Sequence, residues 1–555
     1  MKKSNYTIVL FLMTVLVVSA QQTGSIKGGI KNKFGEILPN ITCTLEGTSK
    51  GGISDQEGIF LFERVPFGAY VLVFQHLNYS SIRKKIILSE NEPILNLNIT
   101  MFTKAFDLQL VEITGRELIS YRDQSSFDTT KTATKIIDIP QSLSIVTKEV
   151  LSDQESFIQG DIAKNLSGVN SVSFYDAFTF RGFELSSETR SLINGLHTVG
   201  FFGSQPLLVN IERVEVIKGF DSALYGDANP GGTMNSVTKK PLSEERKSVS
   251  FTTGSYSTKR VSLDFTESLS ESKLFLYRLN LGYENSDDFR NLQENKSYVI
   301  ASCFSFLPDK NMRVNVELVW TKQEGELDRG LLIDGAFGPN PVFDLSSAPT
   351  SLAINKVNDF YMNKYDYINA SLSQKITHNI TFNTSYLHFN WEEDLQEYRT
   401  ANGFARNNSF DEFINNKVAL RPDLRQRELS SYNITPYFLF NDISTCKLKH
   451  KILIGYDYVQ QKEEAGGSQL SADGYRLING GIGSFVFEDQ ADFDANSGDF
   501  LFENDGVPVP NVPHFNLDAP VYELADLTDY NFNKAFNFPV TKYFPRGIYV
   551  LGSNE

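Results

Sequence analysis

Beyond residue 248 the chain is built from stretches of about ten to fifteen residues in which apolar and polar side chains alternate, and this period of two decides most of what it can fold into. The stretches run over 248–254, 260–269, 273–283, 298–307, 312–322, 365–377, 380–390, 428–440 and 447–461. Their links alternate in length. Ser270-Glu271-Ser272, Pro308-Asp309-Lys310-Asn311 and His378-Asn379 are short turns, whereas the segments 323–360, 391–427 and 465–545 read as long loops. Each stretch is long enough for a tilted strand to cross a bilayer, and short turns on one side with long loops on the other are a transmembrane-barrel signature. A water-soluble sandwich needs no such asymmetry.

Composition agrees with a β-protein and narrows the partners. Tyr 24 and Phe 43 stand against two Trp, and the aromatics sit in alternating runs rather than apolar blocks. A net charge of -15, from 67 acidic and 52 basic residues, argues against a nucleic-acid partner, which favours a basic face. Lys2 and Lys3 precede an apolar run over residues 8–18 that ends in Val18-Ser19-Ala20, so residues 1–20 read as a cleaved secretory signal. The run falls short of the roughly 20 residues a spanning helix needs, and no later stretch reaches that length. Cys43, Cys303 and Cys446 lie far apart in alternating stretches and read as strand residues without a disulfide or metal role. The six His show no ligand spacing, so no protein metal site is expected.

Residues 21–102 are punctuated differently. Short β-branched runs over 25–30, 41–46, 58–62, 70–74, 85–88 and 95–101 imply about seven strands of a small sandwich. Asn32-Lys33-Phe34-Gly35 and Asp55-Gln56-Glu57-Gly58 put glycine where a hairpin needs positive φ. Asp55 to Gly58 followed by Phe60, then Val65-Pro66-Phe67-Gly68-Ala69-Tyr70 and Asn78-Tyr79, resembles the carboxypeptidase regulatory-like domain, a name that carries no peptidase activity.

Residues 103–130 turn polar except for Leu108 to Gly115, an alternating patch with nothing of its own to pair with. Such a patch suits addition of a strand to another protein's sheet edge; the alternative is one more strand of the preceding sandwich. Its Val111-Glu112-Ile113-Thr114-Gly115 ending resembles a TonB box, which implies that Leu110, Val111, Glu112, Ile113 and Thr114 are offered to the periplasmic energy-transducing protein TonB.

Residues 131–241 carry the most specific run: Ile139-Pro140-Gln141-Ser142-Leu143-Ser144-Ile145-Val146-Thr147, helices from Lys148 into Phe157 and around 162–166, then Arg181-Gly182-Phe183, Ile193-Asn194-Gly195, Ile211-Glu212-Arg213-Val214-Glu215-Val216-Ile217-Lys218-Gly219, Leu224-Tyr225-Gly226, Pro230-Gly231-Gly232 and Val237-Thr238-Lys239-Lys240-Pro241. In this order the run resembles the plug domain of TonB-dependent siderophore receptors, departing from it at Phe220 and in the polar Met234-Asn235-Ser236. A plug must show polar side chains to a hydrophilic wall, so Arg181, Glu212, Arg213, Glu215 and Lys218 are expected to form plug–barrel ion pairs; single charges that merely face solvent are the alternative.

The fold class expected is thus mainly β: a small β-sandwich, an α+β plug, and in 242–555 the N-terminal portion of a transmembrane antiparallel β-barrel. About 22 strands are usual for plugged transporters, and about nine or ten are present, so the chain is expected to be a fragment or truncated product. The resemblance implies a non-enzymatic outer-membrane receptor of a Gram-negative bacterium, with the sandwich and linker periplasmic. It would import a ferric siderophore with TonB as partner, embedded in outer-membrane lipid, the iron carried as a chelate and no cofactor bound. By the same resemblance Ser186, Ser187, Phe201 and Phe202 would touch the ligand at the plug apices. Rival readings are a SusC-like glycan or peptide importer of the same architecture, and a surface receptor that binds without transporting, or a non-functional truncated product.

Overall fold

A computed structural model describes residues 23–32, 35–48, 50–76, 79–101, 121, 125–126, 131, 134–139, 141–171, 178–185, 191–198, 206–219, 231–327, 349–406, 413–445, 448–463, 468–484, 491, 495–503, 506–537, 542–543 and 546–554. The expected signal, residues 1–20, lies outside the described residues. Two compact units divide at Leu110/Val111.

In the first unit, strands of alternating pattern pack two sheets face to face. One sheet orders Ile59–Pro66, Thr23–Asn32 and Ile94–Met101; the other orders Gly51–Ile53, Thr42–Leu45, Gly68–His76 and Tyr79–Leu88. The short strand Gly51–Ile53 escaped the sequence reading, since two glycines hide its β-character. Ile26, Ile30, Phe60, Leu72 and Phe74 fill the space between the sheets. Gly35 and Gly58 carry φ of 86° and 70°, the left-handed values their hairpins demand. Cys43 is one of the buried core residues, and burial pushes its thiol up to about 12.

In the second unit, the strands Arg246–Thr253, Lys259–Ser268, Phe275–Asp287, Glu294–Asp309, Met312–Gly325, Phe360–Lys375, Ile380–Arg406, Phe413–Thr445 and Leu448–Glu463 follow one another, each antiparallel to the next. Arg546–Asn554 then pairs with Leu448–Glu463. Among the described residues no ladder joins Arg546–Asn554 to Arg246–Thr253, so the described sheet does not close. One expectation is corrected: 391–427 is largely not a loop. The hairpin ladder runs on through Glu393↔Arg427 and Glu397↔Asp423 to Arg406↔Phe413. Strands of this length exceed what a bilayer crossing requires, so the hairpin projects well past the apolar band on the long-loop side.

The polarity of this sheet is the reverse of a soluble protein's. Along Phe275–Asp287 the buried face carries Arg278 and Asn280, and along Met312–Gly325 it carries Glu317, at 2% exposed. The opposite face exposes Ile300 at 47%, Phe304 at 46% and Leu318 at 44%. Burying unpaired charge is costly, so such a face needs a polar body against it, and the apolar face needs lipid. Aromatic pairs edge the apolar band: Phe275 and Phe306 stack at 4.5 Å and Phe382 meets Phe438 at 5.0 Å near the short turns, while Tyr283–Tyr298 at 5.3 Å and His388–Tyr432 at 4.1 Å lie toward the long loops. From Phe275 to Tyr283 a tilted strand climbs about 20 Å, commensurate with an apolar band of about 25 Å.

A testable consequence follows at Leu318. Leu318→Arg places a charge on the lipid face and is expected to cost about 2–4 kcal/mol in refolding into lipid vesicles, read by urea titration. In a water-soluble sheet the same exposed substitution would stay within about 0.5 kcal/mol, so a neutral result would overturn the membrane orientation of this face.

Candidate functional site: the plug and its contacts with the wall

The plug is a five-stranded sheet ordered Ser142–Thr147, Ile211–Lys218, Thr233–Thr238, Leu192–Ile193 and Leu196–His197, with a small three-stranded sheet beside it. The expected helices appear as an α-helix, Lys148–Asp153, and a 3-10 turn, Gln159–Asn165. Two of the sequence motifs are two-residue hairpin turns. Arg181 and Gly182 have φ of 50° and 85°, and Asn194 and Gly195 have 51° and 76°, the signs a tight primed turn requires. Pro230-Gly231-Gly232 has a packing reason: a Cβ on Gly231 would lie 2.1 Å from the Phe180 carbonyl oxygen, and one on Gly232 2.6 Å from that of Ile217.

The five charges singled out in the sequence take mostly different partners from those expected. Arg213 and Glu215, two apart on one strand and therefore on one face, pair with each other at 2.8 Å. The second Glu215 oxygen accepts from Asn235 Nδ2 at 3.2 Å, which gives the polar Met234-Asn235-Ser236 departure a function in the plug's own interior. Lys218 donates to Ser144 and Ser167 at 2.9 and 3.1 Å, and Arg181 donates to Ser142 at 3.3 Å. Burial and the neighbouring Arg181 lower Lys218 from the ordinary lysine range. Glu212 meets Lys148 of the plug at 2.6 Å. Burial alone would raise Glu212, but Lys148, the wall residue Arg278 and Lys239 together hold it below the usual carboxylate range. The physical reason for the difference is that a sheet this small keeps its cross-strand neighbours nearer than the wall.

Described hydrogen bonds and ion pairs to the wall come from Lys131, Asn194, His197, Thr238, Lys239 and Lys240. Lys239 and Lys240 are consecutive and take different wall carboxylates. Lys239 reaches Asp264 at 3.2 Å and the Val209 carbonyl oxygen at 2.6 Å, while Arg278 grips Asp264 with two bonds of 2.8 Å and donates to the Lys240 carbonyl oxygen. Lys240 approaches Glu317 at 3.5 Å; Glu317 also accepts from Thr238 at 2.7 Å and from Tyr367 at 3.2 Å, and Asn194 reaches Asn369 at 3.1 Å. Asn433 clamps the His197 backbone, donating to its carbonyl at 2.7 Å and accepting from its N–H at 3.2 Å. Lys131 lies against Asp457 and Tyr549.

Between these polar links the contact is greasy and incomplete. Leu196 and Leu207 pack on Val299, Val319, Leu387 and Phe389. A cleft of about 430 Å³ of non-atom space, partly open to solvent, remains beside them, lined by Gln159, Ser191, Asn210, Ser236, Tyr365 and Tyr367. Leu110, Val111, Glu112, Ile113 and Thr114, and likewise Ser186, Ser187, Phe201 and Phe202, lie outside the described residues.

Comparison with known proteins bears on this arrangement. The TonB-dependent Receptor Plug Domain family matches residues 135–233, and the CarboxypepD_reg-like domain family matches residues 26–113. The metal-pseudopaline receptor CntO of Pseudomonas aeruginosa (strain UCBPP-PA14) is 32% identical over 347 residues, which are 61% of this chain and 46% of the relative. The ferrichrome outer membrane transporter/phage receptor of Escherichia coli (strain K12) is 31% identical over 188 residues, 32% of this chain and 25% of that relative. The chain thus spans less than half the length of these curated relatives. In fold, the closed form of the ferric-catecholate import receptor Fiu from K12 E. coli superposes with a TM-score of 0.60 at 17% identity, covering 78% of this chain and 56% of that one. With its plug sheet, its wall of reversed polarity and its N-terminal sandwich, the chain carries a TonB-dependent receptor plug domain and a CarboxypepD_reg-like domain, and it is similar in sequence and fold to outer-membrane siderophore and metal receptors.

Proposed function

We propose that this protein takes up a ferric siderophore across the outer membrane, with energy delivered by TonB to Leu110–Thr114 in a periplasmic linker. The chelate would sit against Ser186, Ser187, Phe201 and Phe202, hydroxyls for its polar centre and aromatic rings for its greasy rim, and the iron would travel as cargo. The organisation we assign is a signal over 1–20, the sandwich over 21–102, the linker over 103–130, the plug over 131–241 and the barrel wall over 242–555. The observation that carries the reading is the charged, buried wall face turned toward the plug, fastened to it by Lys239–Asp264 and Lys240–Glu317 alongside the packing of Leu196 and Leu207. Arg181 and Lys218 stay in the proposal as cations for barrel carboxylates, because among the described residues no carboxylate pairs with either.

A glycan importer shares the architecture, and one experiment separates the two. Expression of the gene is expected to rise on iron starvation, and its deletion to abolish growth on a ferric siderophore as sole iron source. Induction by a polysaccharide, with iron-limited growth unchanged by deletion, would transfer the protein to glycan import.

A further inference from the structure

Lys131 is the foremost plug residue held by the wall among those described, and it is held unusually closely. Only 6% of it is exposed. Its ammonium donates to both oxygens of Asp457, at 3.0 and 3.2 Å, and to the Tyr549 hydroxyl at 2.9 Å, with the Tyr549 ring centroid 4.1 Å away. The wall is shaped for this contact. Tyr549 stands opposite Gly455 in the ladder, and Gly455 stands opposite Tyr437 on its other side. A Cβ on Gly455 would fall 2.4 Å from the Tyr549 hydroxyl and 2.7 Å from the Tyr437 Cβ, so glycine at this position is what lets the tyrosine ring lean across the strand toward Lys131. Lys131 itself adopts a φ of 52°, a left-handed conformation that non-glycine residues hold only when their surroundings impose it.

We propose that Lys131, Asp457 and Tyr549 form a clasp that ties the leading end of the plug to the barrel wall, and that this clasp is the first link between plug and wall to yield when the linker is pulled. The proposal rests on the import reading above. Lys131 lies after Thr114 and before Ser142, so among the described residues a pull applied at 110–114 passes only the Tyr121–Asp153 hydrogen bond and the two-residue ladder of Ser125–Ser126 with Thr134–Lys135, both internal to the plug side, before it loads the clasp and then the plug sheet, of which Ser142–Thr147 is an edge strand. A buried ion pair contributes little net stability compared with apolar packing, yet it yields abruptly once one partner leaves. It therefore suits a threshold. Weak or transient tension leaves the plug sheet untouched, and tension that opens the short Ser125–Ser126 ladder and breaks the clasp frees the chain up to Ser142 and lets Lys131 leave its strained conformation. Lys131 is a positioning residue in this scheme and touches no ligand.

The test is single-molecule pulling on the full-length receptor in lipid vesicles, through a handle placed just before residue 111. The wild type is expected to show a small first release ahead of the main plug event. Lys131→Met should remove the first release and leave the main event and siderophore binding unchanged, Lys131→Arg should restore it, and Tyr549→Phe should lower its force. Should Lys131→Met fail to fold, as judged by lost siderophore binding, Tyr549→Phe still decides the matter, since it keeps the ring and removes the hydroxyl's bonds to Lys131 and Asp457. Identical traces for wild type and Tyr549→Phe, or a first release that survives in a folded Lys131→Met, would overturn the clasp. Pulling needs no TonB, so that failure is separate from failure of the import reading, which would show as uptake that persists without residues 110–114.

Discussion

Removal of residues 110–114 from the full-length receptor is expected to abolish siderophore-supported growth while leaving siderophore binding at the cell surface intact. The physical reason is that an extended segment offered to a sheet edge is recognised chiefly through its backbone N–H and C=O groups, so deletion removes the whole handle at once. Side-chain changes such as Val111→Thr should be tolerated, whereas Ile113→Pro removes a donor and imposes a fixed φ and should come close to the deletion in effect. The sandwich-domain family match extends to residue 113, which sharpens the competing view that this patch is a strand of the sandwich. Under that view the deletion would lower the melting temperature of the sandwich, and Val111→Thr and Ile113→Pro would differ only in stability. Uptake assays and calorimetry on the same three variants separate the two, and full uptake by the deletion strain would remove TonB coupling through this segment.

The largest effect on stability is expected at Asp264. Its carboxylate is shared by Arg278, 2% exposed, and by the half-buried Lys239, so Asp264→Ala strands two cations in the seam between plug and wall. Breaking a buried pair by removing one partner typically costs about 3–5 kcal/mol. Urea denaturation of the detergent-solubilised receptor measures it. Removing both charges should be milder: Asp264→Leu with Arg278→Met is expected to cost less than the sum of the single changes, since residues in one network do not contribute additively. A loss below about 1 kcal/mol for Asp264→Ala would mean that water reaches the seam and screens the network, and the discrete-link picture of plug retention would be abandoned.

Much of the fold is legible from the chain alone where a local rule suffices. Alternation marks Phe275–Asp287 and Met312–Gly325 as strands because every second side chain meets the same surroundings. Asn194-Gly195 and Arg181-Gly182 read as turns because few residues accept left-handed backbone. The same rule misleads over 391–427. There the buried face carries Glu393, Glu397, Asp423 and Arg425, so both faces look polar and the extended hairpin passes for a loop. Glu393 and Arg425 lie in opposite strands and join by two bonds of 2.7 Å, a pairing that only the ladder brings about.

The candidate site divides along the same line. From its sequence the chain declares a sandwich, a plug and a wall with one apolar face, since period, turn chemistry and motif order are properties of neighbours along the chain. Which charges meet is decided by tertiary structure. Lys239 and Lys240 look alike in sequence, yet one finds Asp264 and the other Glu317, on different strands of the wall. Arg213 and Glu215, candidates for the wall by their charge, pair with each other within the plug. Electrostatic pairing depends on distances of a few ångströms between residues far apart in the chain, and those distances exist only after strand register and the seating of the plug have been set.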